Sequence, residues 1–211
     1  MPDRRRERQV FDGWISALGT ASGTRVVVGH WPGSPFGAFG DVMLERSDGG
    51  RLLLAPTAAT ARYIAGVYHF DEVRVVPVEV RRRGPLWEVG AGPLRLGFRV
   101  GRRGPLGLAL RAVPRTLARR PSWAALADAP ARLVTGVRTR GSSRPGCRQW
   151  YAALDLWPIV AAEASYEGVD LGALAPVLPP VRFGFASAPA APALVRVVST
   201  VESTVGRPVG S

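Results

Sequence analysis

Extended apolar runs follow one another along this chain far more often than they alternate with helical ones, and that order leaves little choice of architecture. The clearest run is 94–100, where Leu94, Leu96, Phe98 and Val100 alternate with Arg95, Gly97 and Arg99 to give one apolar and one polar face. Strand signals recur at 24–30, 41–46, 51–55, 72–80, 132–140, 148–156, 160–167, 181–186 and 193–202, divided by turns rich in Gly, Pro, Ser and Asp. The 41–55 pair reads as a hairpin around Ser47-Asp48-Gly49-Gly50. Helical spacing marks 57–68, where Ala61, Ile64, Ala65 and Tyr68 share a face behind Pro56 and Thr57. It marks 105–120 and 122–129 too, broken at Pro114 and Pro121. About ten strands with two or three helices predict an α+β domain, mainly an antiparallel sheet curled into a barrel or half-barrel. A chain of 211 residues, 46% of them apolar, can bury one such core. No stretch looks like an interdomain linker, so the prediction is a single α+β domain over 10–205 behind a disordered basic tail over 1–9.

All 28 cationic side chains are arginine, and the missing lysine removes whole reaction classes. Schiff-base and pyridoxal-phosphate chemistry need a lysine amine, and a Walker-type phosphate loop needs a lysine on the phosphates. Cys147 stands alone, which excludes an intrachain disulfide and a multi-cysteine zinc site and fits a reducing compartment. No apolar run approaches the roughly 20 residues of a membrane span, and Asp12 with the glycines beside it interrupts any secretory core, so a soluble, cytoplasmic protein is expected. The net charge of +12 favours anionic company. Uniform arginine usage in a GC-rich genome explains the same charge without a partner.

Four constellations carry the candidate chemistry. The segment 29–41 packs His30, Trp31, Phe36, Phe39 and Asp41 among four glycines and two prolines, the composition of a loop that lines a pocket or of aromatics that plug a barrel end. His69 and Asp71 fall on one face of a strand, and with His30 they make two imidazoles and a carboxylate. No histidine follows His69, however, so no metal site and no cofactor are expected; His30, His69 and Asp71 are instead the proton-transfer candidates. Arg74, Arg95, Arg99, Arg182 and Arg196 alternate with apolar residues. On a concave face they would line a cavity suited to carboxylate or phosphate, and on a convex face they would meet water. The basic stretch 102–120 reads as a helix pair capping the barrel or as a surface for anionic lipid. Cys147 has no nucleophile pattern around it, and nucleic acid is not an expected partner because no recognition motif accompanies the charge.

The stretches 29–41, Gly92-Pro93-Leu94-Arg95-Leu96 and Val181-Arg182-Phe183-Gly184-Phe185 are similar to runs in proteins of GC-rich actinobacteria. That resemblance implies a compartment and a single domain, and no activity. At fold level, a curled antiparallel sheet of this length resembles acetoacetate-decarboxylase barrels, whose chemistry depends on the lysine this chain lacks. The functional expectation is a domain binding an anionic small molecule, as a binding module or as an enzyme acting on it, with Trp31, Phe36, Phe39, Asp41, Arg95, Arg99 and Arg182 as ligand contacts. The competing expectation is a noncatalytic peripheral protein on anionic lipid or a protein partner. The oligomeric state is not legible.

Overall fold

The computed structural model describes residues 6–114, 140–144, 147–184 and 188–204. Four strands, β1 (Arg6–Thr20), β2 (Arg25–Gly33), β3 (Phe39–Glu45) and β4 (Arg51–Ala55), form an antiparallel meander. Helix α1 (Ala58–Val67) then carries the chain to β5 (Glu72–Val75), which runs parallel to β4. A second meander follows in β6 (Val78–Arg83), β7 (Leu86–Ala91) and β8 (Leu94–Val100), and then α2 (Pro105–Ala112). The remaining strands are β9 (Arg140–Arg144), β10 (Cys147–Tyr166), the two-residue β11 (Val169–Asp170) and β12 (Leu174–Ala175), and β13 (Ala193–Thr204).

The strand order is β5-β4-β3-β2-β1-β13-β10-β8-β7-β6. Its two ends, β5 and β6, are separated in sequence by Val76 and Pro77 alone, so the sheet must curl until its ends approach. Gly40 marks that approach on β3: a Cβ there would stand 3.0 Å from Val80 and 3.2 Å from Val78 on β6. No ladder joins β5 to β6, and the sheet stays open.

Inside the curl, Val26, Val28, Val42, Leu44, Leu52 and Leu54 of the first limb pack against Trp87, Val89, Leu94, Leu96 and Phe98 of the second. The first limb is apolar on its other face too, through Phe11, Ala17, Trp31 and Leu53. Two buried faces explain the unbroken runs Val26-Val27-Val28 and Leu52-Leu53-Leu54, because a sheet covered on both sides has no reason to alternate. The second limb keeps one face in water, where Arg81, Glu88, Gly97 and Glu163 oppose one another across four strands.

Several expectations change. Residues 6–9 of the expected tail belong to β1, which pairs with β13 from Arg6, and residues 1–5 lie outside the described residues. The single run 72–80 is two strands at opposite ends of the sheet, because Pro77 offers no N–H to continue a ladder. Conversely, 148–156 and 160–167 are one strand. Pro158 interrupts nothing there, as it sits where β10 ends its pairing with β13 and begins pairing with β8 at Ile159. Of the expected 181–186 strand, 185 and 186 lie outside the described residues, and 181–184 is no strand but a strap: Val181 and Phe183 are buried and Arg182 is exposed, with no ladder partner. β7 went unnoticed. Of the expected helices, 57–68 is α1, with Thr57 and Thr60 forming a capping box. The 105–120 helix starts as α2; the rest of it beyond 114, the 122–129 helix and nearly all of the 132–140 strand lie outside the described residues.

Candidate functional site

The outer face of β1–β3 carries a cavity of about 240 Å³, and two glycines shape its floor. Trp31 lies flat along the sheet because Gly13 on β1 and Gly29 on β2 leave it room. A Cβ on Gly13 would come within 2.9 Å of the indole Cε3, and one on Gly29 within 2.4 Å of its Nε1. Across bare Gly29 the indole N–H donates to Asp41 Oδ1 at 2.9 Å. Asp41 is the direct β3 partner of Gly29, so strand register alone sets donor against acceptor.

Covering elements close the space. Helix α1 contributes Tyr63, Ile64, Val67 and Tyr68, α2 contributes Leu106 and Leu110, and the strap contributes Val181 and Phe183. α2 packs directly on β10 at Gly107, where a Cβ would lie 2.2 Å from the Leu156 carbonyl oxygen. Its start is pinned by Arg103, which donates to both oxygens of Asp155 at 2.8 and 3.0 Å and lies 4.5 Å over the Trp157 ring. The strap is held by Glu45, a fully buried carboxylate. Glu45 accepts from the Arg182 backbone N–H at 2.8 Å and its guanidinium at 3.0 Å, and pairs with buried Arg25 at 2.9 Å.

The cavity wall is apolar apart from a few polar groups. Asp41 is 2% exposed, and burial pushes its carboxyl up to about 6, against the opposing pull of the Trp31 N–H. Among the described residues no cation pairs with it. The Tyr68 hydroxyl meets the Tyr151 hydroxyl in a short contact, and Tyr151 donates to Gln149 Oε1 at 3.5 Å. Burial, then the neighbouring Tyr151, raise Tyr68 well above the ordinary phenol range. The arrangement is a greasy chamber with a buried carboxyl at its floor and phenols around it, able to hold an apolar body by shape and one polar group by hydrogen bond.

Of the residues expected from sequence, Trp31, Phe39 and Asp41 line this cavity together. Phe36 is 37% exposed and packs on Phe11 and Phe39 without reaching the cavity lining. His30 points the other way. It stacks on Trp14 at 5.7 Å and meets Trp87 edge-on at 5.9 Å inside the curl, where burial lowers its pKa. His69 is exposed after α1, its backbone N–H bonded to Phe183 O. Asp71 is gripped by Arg51 through both carboxylate oxygens at 2.8 and 3.0 Å, which holds it down at about 2. The expected proton-transfer trio is therefore not assembled: Asp71 stays ionised on the surface, and His30 is separated from the cavity by the sheet itself. No cluster of three His, Cys, Asp or Glu side chains suited to a metal occurs among the described residues.

The arginine cavity is corrected as well. Arg95 and Arg99 stand on the watered face of the second limb, Arg95 bonded to the carbonyls of Gly92 and Leu94. Arg182 is 68% exposed and spends its guanidinium on Glu45. Arg74 pairs with Glu72 and Glu167, and Arg196 with Asp12 while lying 4.5 Å over Trp14. A wider groove of about 970 Å³ crosses the outside of the second limb past Glu79, Arg81, Glu88, Arg95 and Glu163. It is open, and its charges alternate in sign without converging on a point. On α2, Leu106 and Leu110 face the cavity, and Pro105, Leu108, Ala109, Arg111 and Ala112 are exposed.

Sequence reasoning missed Tyr63, Tyr68, Tyr151 and the glycines 13 and 29. The tyrosines come from distant segments and carry no local signal. The glycines carried one: Gly29 stands two residues before Trp31 on the same strand face.

No protein-family model matches the chain, and no curated protein matches it. Among solved structures it is similar to the crystal structure of acetoacetate decarboxylase from Legionella pneumophila, with a TM-score of 0.45 and 8% sequence identity over 96% of this chain and 88% of that one. A likeness that distant transfers neither a site nor an activity.

Proposed function

We propose that this protein binds a small, predominantly apolar molecule in the cavity over β1–β3. One observation carries the reading: a partly covered apolar chamber of about 240 Å³ with the buried Asp41 carboxyl in its lining. At ~30 Å³ per water-sized group the chamber holds roughly eight such groups, and apolar cavities of this order take small apolar guests in preference to water. The anionic ligand expected from the sequence needs a cation at the site. The described lining supplies a carboxyl instead, so the ligand class shifts to neutral or cationic molecules.

The test is a thermal-shift and calorimetry series with 1-hexanol on the native chain and on Val27→Phe. Val27 is half-buried and faces the cavity, so phenylalanine at this position fills the chamber without displacing core atoms. The native chain is expected to melt higher in hexanol, as any ligand confined to the folded state requires, and Val27→Phe to fold and show no rise. Equal shifts in both proteins would place the binding elsewhere and overturn the reading.

A further inference from the structure

Resting on that reading, we propose that the cavity selects a protonated amine with an apolar body, the ammonium group seated on Asp41 among the surrounding aromatic rings. Asp41 is the one charged side chain in the described lining, and the rest of that lining is hydrocarbon, indole and phenol with the Met43 thioether and the Ser199 hydroxyl. A buried carboxylate without a cation is unfavourable, and a ligand that brings the cation removes the penalty. The Trp31 N–H occupies one lone pair of a carboxylate that offers about four. The indole face of Trp31 and the rings of Phe39, Tyr63, Tyr68 and Tyr151 surround the same space. Aromatic faces attract an ammonium ion most strongly where water is excluded. Tyr68 lies close enough to Asp41 for the carboxylate charge to add to its upward shift, which places phenol and carboxylate on the same chamber.

Competing ligand charges fit worse. A carboxylate or phosphate would stand against Asp41 with no described guanidinium in the lining. A neutral alcohol gains the hydrophobic contacts and leaves the buried charge unmatched. The outer surface argues the other way, because a chain of net charge +12 repels cations and attracts anions at long range. A preference for an amine over an anion therefore has to arise inside the cavity.

Three probes of matched length separate these cases: hexylamine, 1-hexanol and hexanoate, titrated calorimetrically into the native chain near neutral pH. Hexylamine is expected to bind about tenfold more tightly than hexanol, the order of a desolvated cation–π and carboxylate contact, and hexanoate not to bind. Asp41→Asn is expected to remove the advantage of hexylamine over hexanol. Hexanol equal to or tighter than hexylamine, or measurable hexanoate binding, overturns the inference in the native chain alone, whatever the variant does. The two readings fail separately. If hexanol binds and Val27→Phe abolishes it while the amine has no advantage, the amine inference falls and the cavity stands. If none of the three binds, both fall.

Discussion

Replacing Asp41 by asparagine is expected to stabilise the ligand-free protein at neutral pH and to leave it nearly unchanged near pH 4. Asparagine keeps the shape of the side chain and an oxygen to accept the Trp31 N–H, but has no proton to lose. In the folded chain the Asp41 carboxyl is raised from 3.8 to about 6. Between those values the folded state holds a proton that the unfolded state has released, so the contribution of this group to stability falls as pH rises through the window and is fully lost above it. A rise of about two units corresponds to about 3 kcal/mol. The asparagine variant escapes that loss. Its advantage over the native chain therefore grows from a fraction of a kcal/mol near pH 4 to about 3 kcal/mol at pH 7.5. Urea unfolding of both proteins, followed by tryptophan fluorescence at the two pH values, reads the difference directly. A variant less stable than the native chain at pH 7.5 would show that the carboxylate is paired and satisfied, and the case for an unmatched charge in the cavity would be lost.

Four further substitutions test the supporting structure. Gly29→Ala puts a Cβ 2.4 Å from both Asp41 Oδ1 and Trp31 Nε1; it is expected to cost about 1–3 kcal/mol by overpacking and to change the Trp31 emission, whereas an unchanged spectrum and stability would mean that the indole does not lie across Gly29. Glu45→Gln leaves the buried Arg25 guanidinium without its carboxylate and frees the strap bearing Val181 and Phe183; the expected loss is about 3–5 kcal/mol in urea unfolding, with weaker hexanol binding, and native affinity would separate the strap from the cavity. Arg95→Ala and Arg99→Ala, on the watered face, are expected to leave melting temperature and hexanol affinity at native values, and a loss of binding in either would restore the arginine-lined site read from the sequence.

The strands of this fold were legible where one face meets water, as in 94–100, and the segment 29–41 was legible as unusual from its glycines and aromatics. Its geometry was not, because the strand signal ends at residue 30 while β2 runs to Gly33. Once the strand is known to continue through residue 31, the alternation of side chains decides the matter: Gly29 and Trp31 share the cavity face, and His30 must point into the core. The Asp41 pairing with Gly29 follows from the same hairpin register. The triple apolar runs at 26–28 and 52–54 already announced a sheet buried on both sides, and with it a second apolar surface able to hold a cavity. The strap at 181–184 misled because an extended segment packed on a sheet buries every second residue just as a strand does. Long-range partners such as Tyr68 with Tyr151, or Glu45 with Arg182, leave no trace in local pattern and came only with the fold.

The measurement closest to the central claim is a crystal structure of the native chain soaked in 1-hexanol at a concentration that raises its melting temperature. The account requires alkyl density inside the chamber, between the floor formed by Trp31 and Val27 and the roof formed by Tyr68 and Leu110. Full occupancy at another site, with the chamber empty, would contradict it.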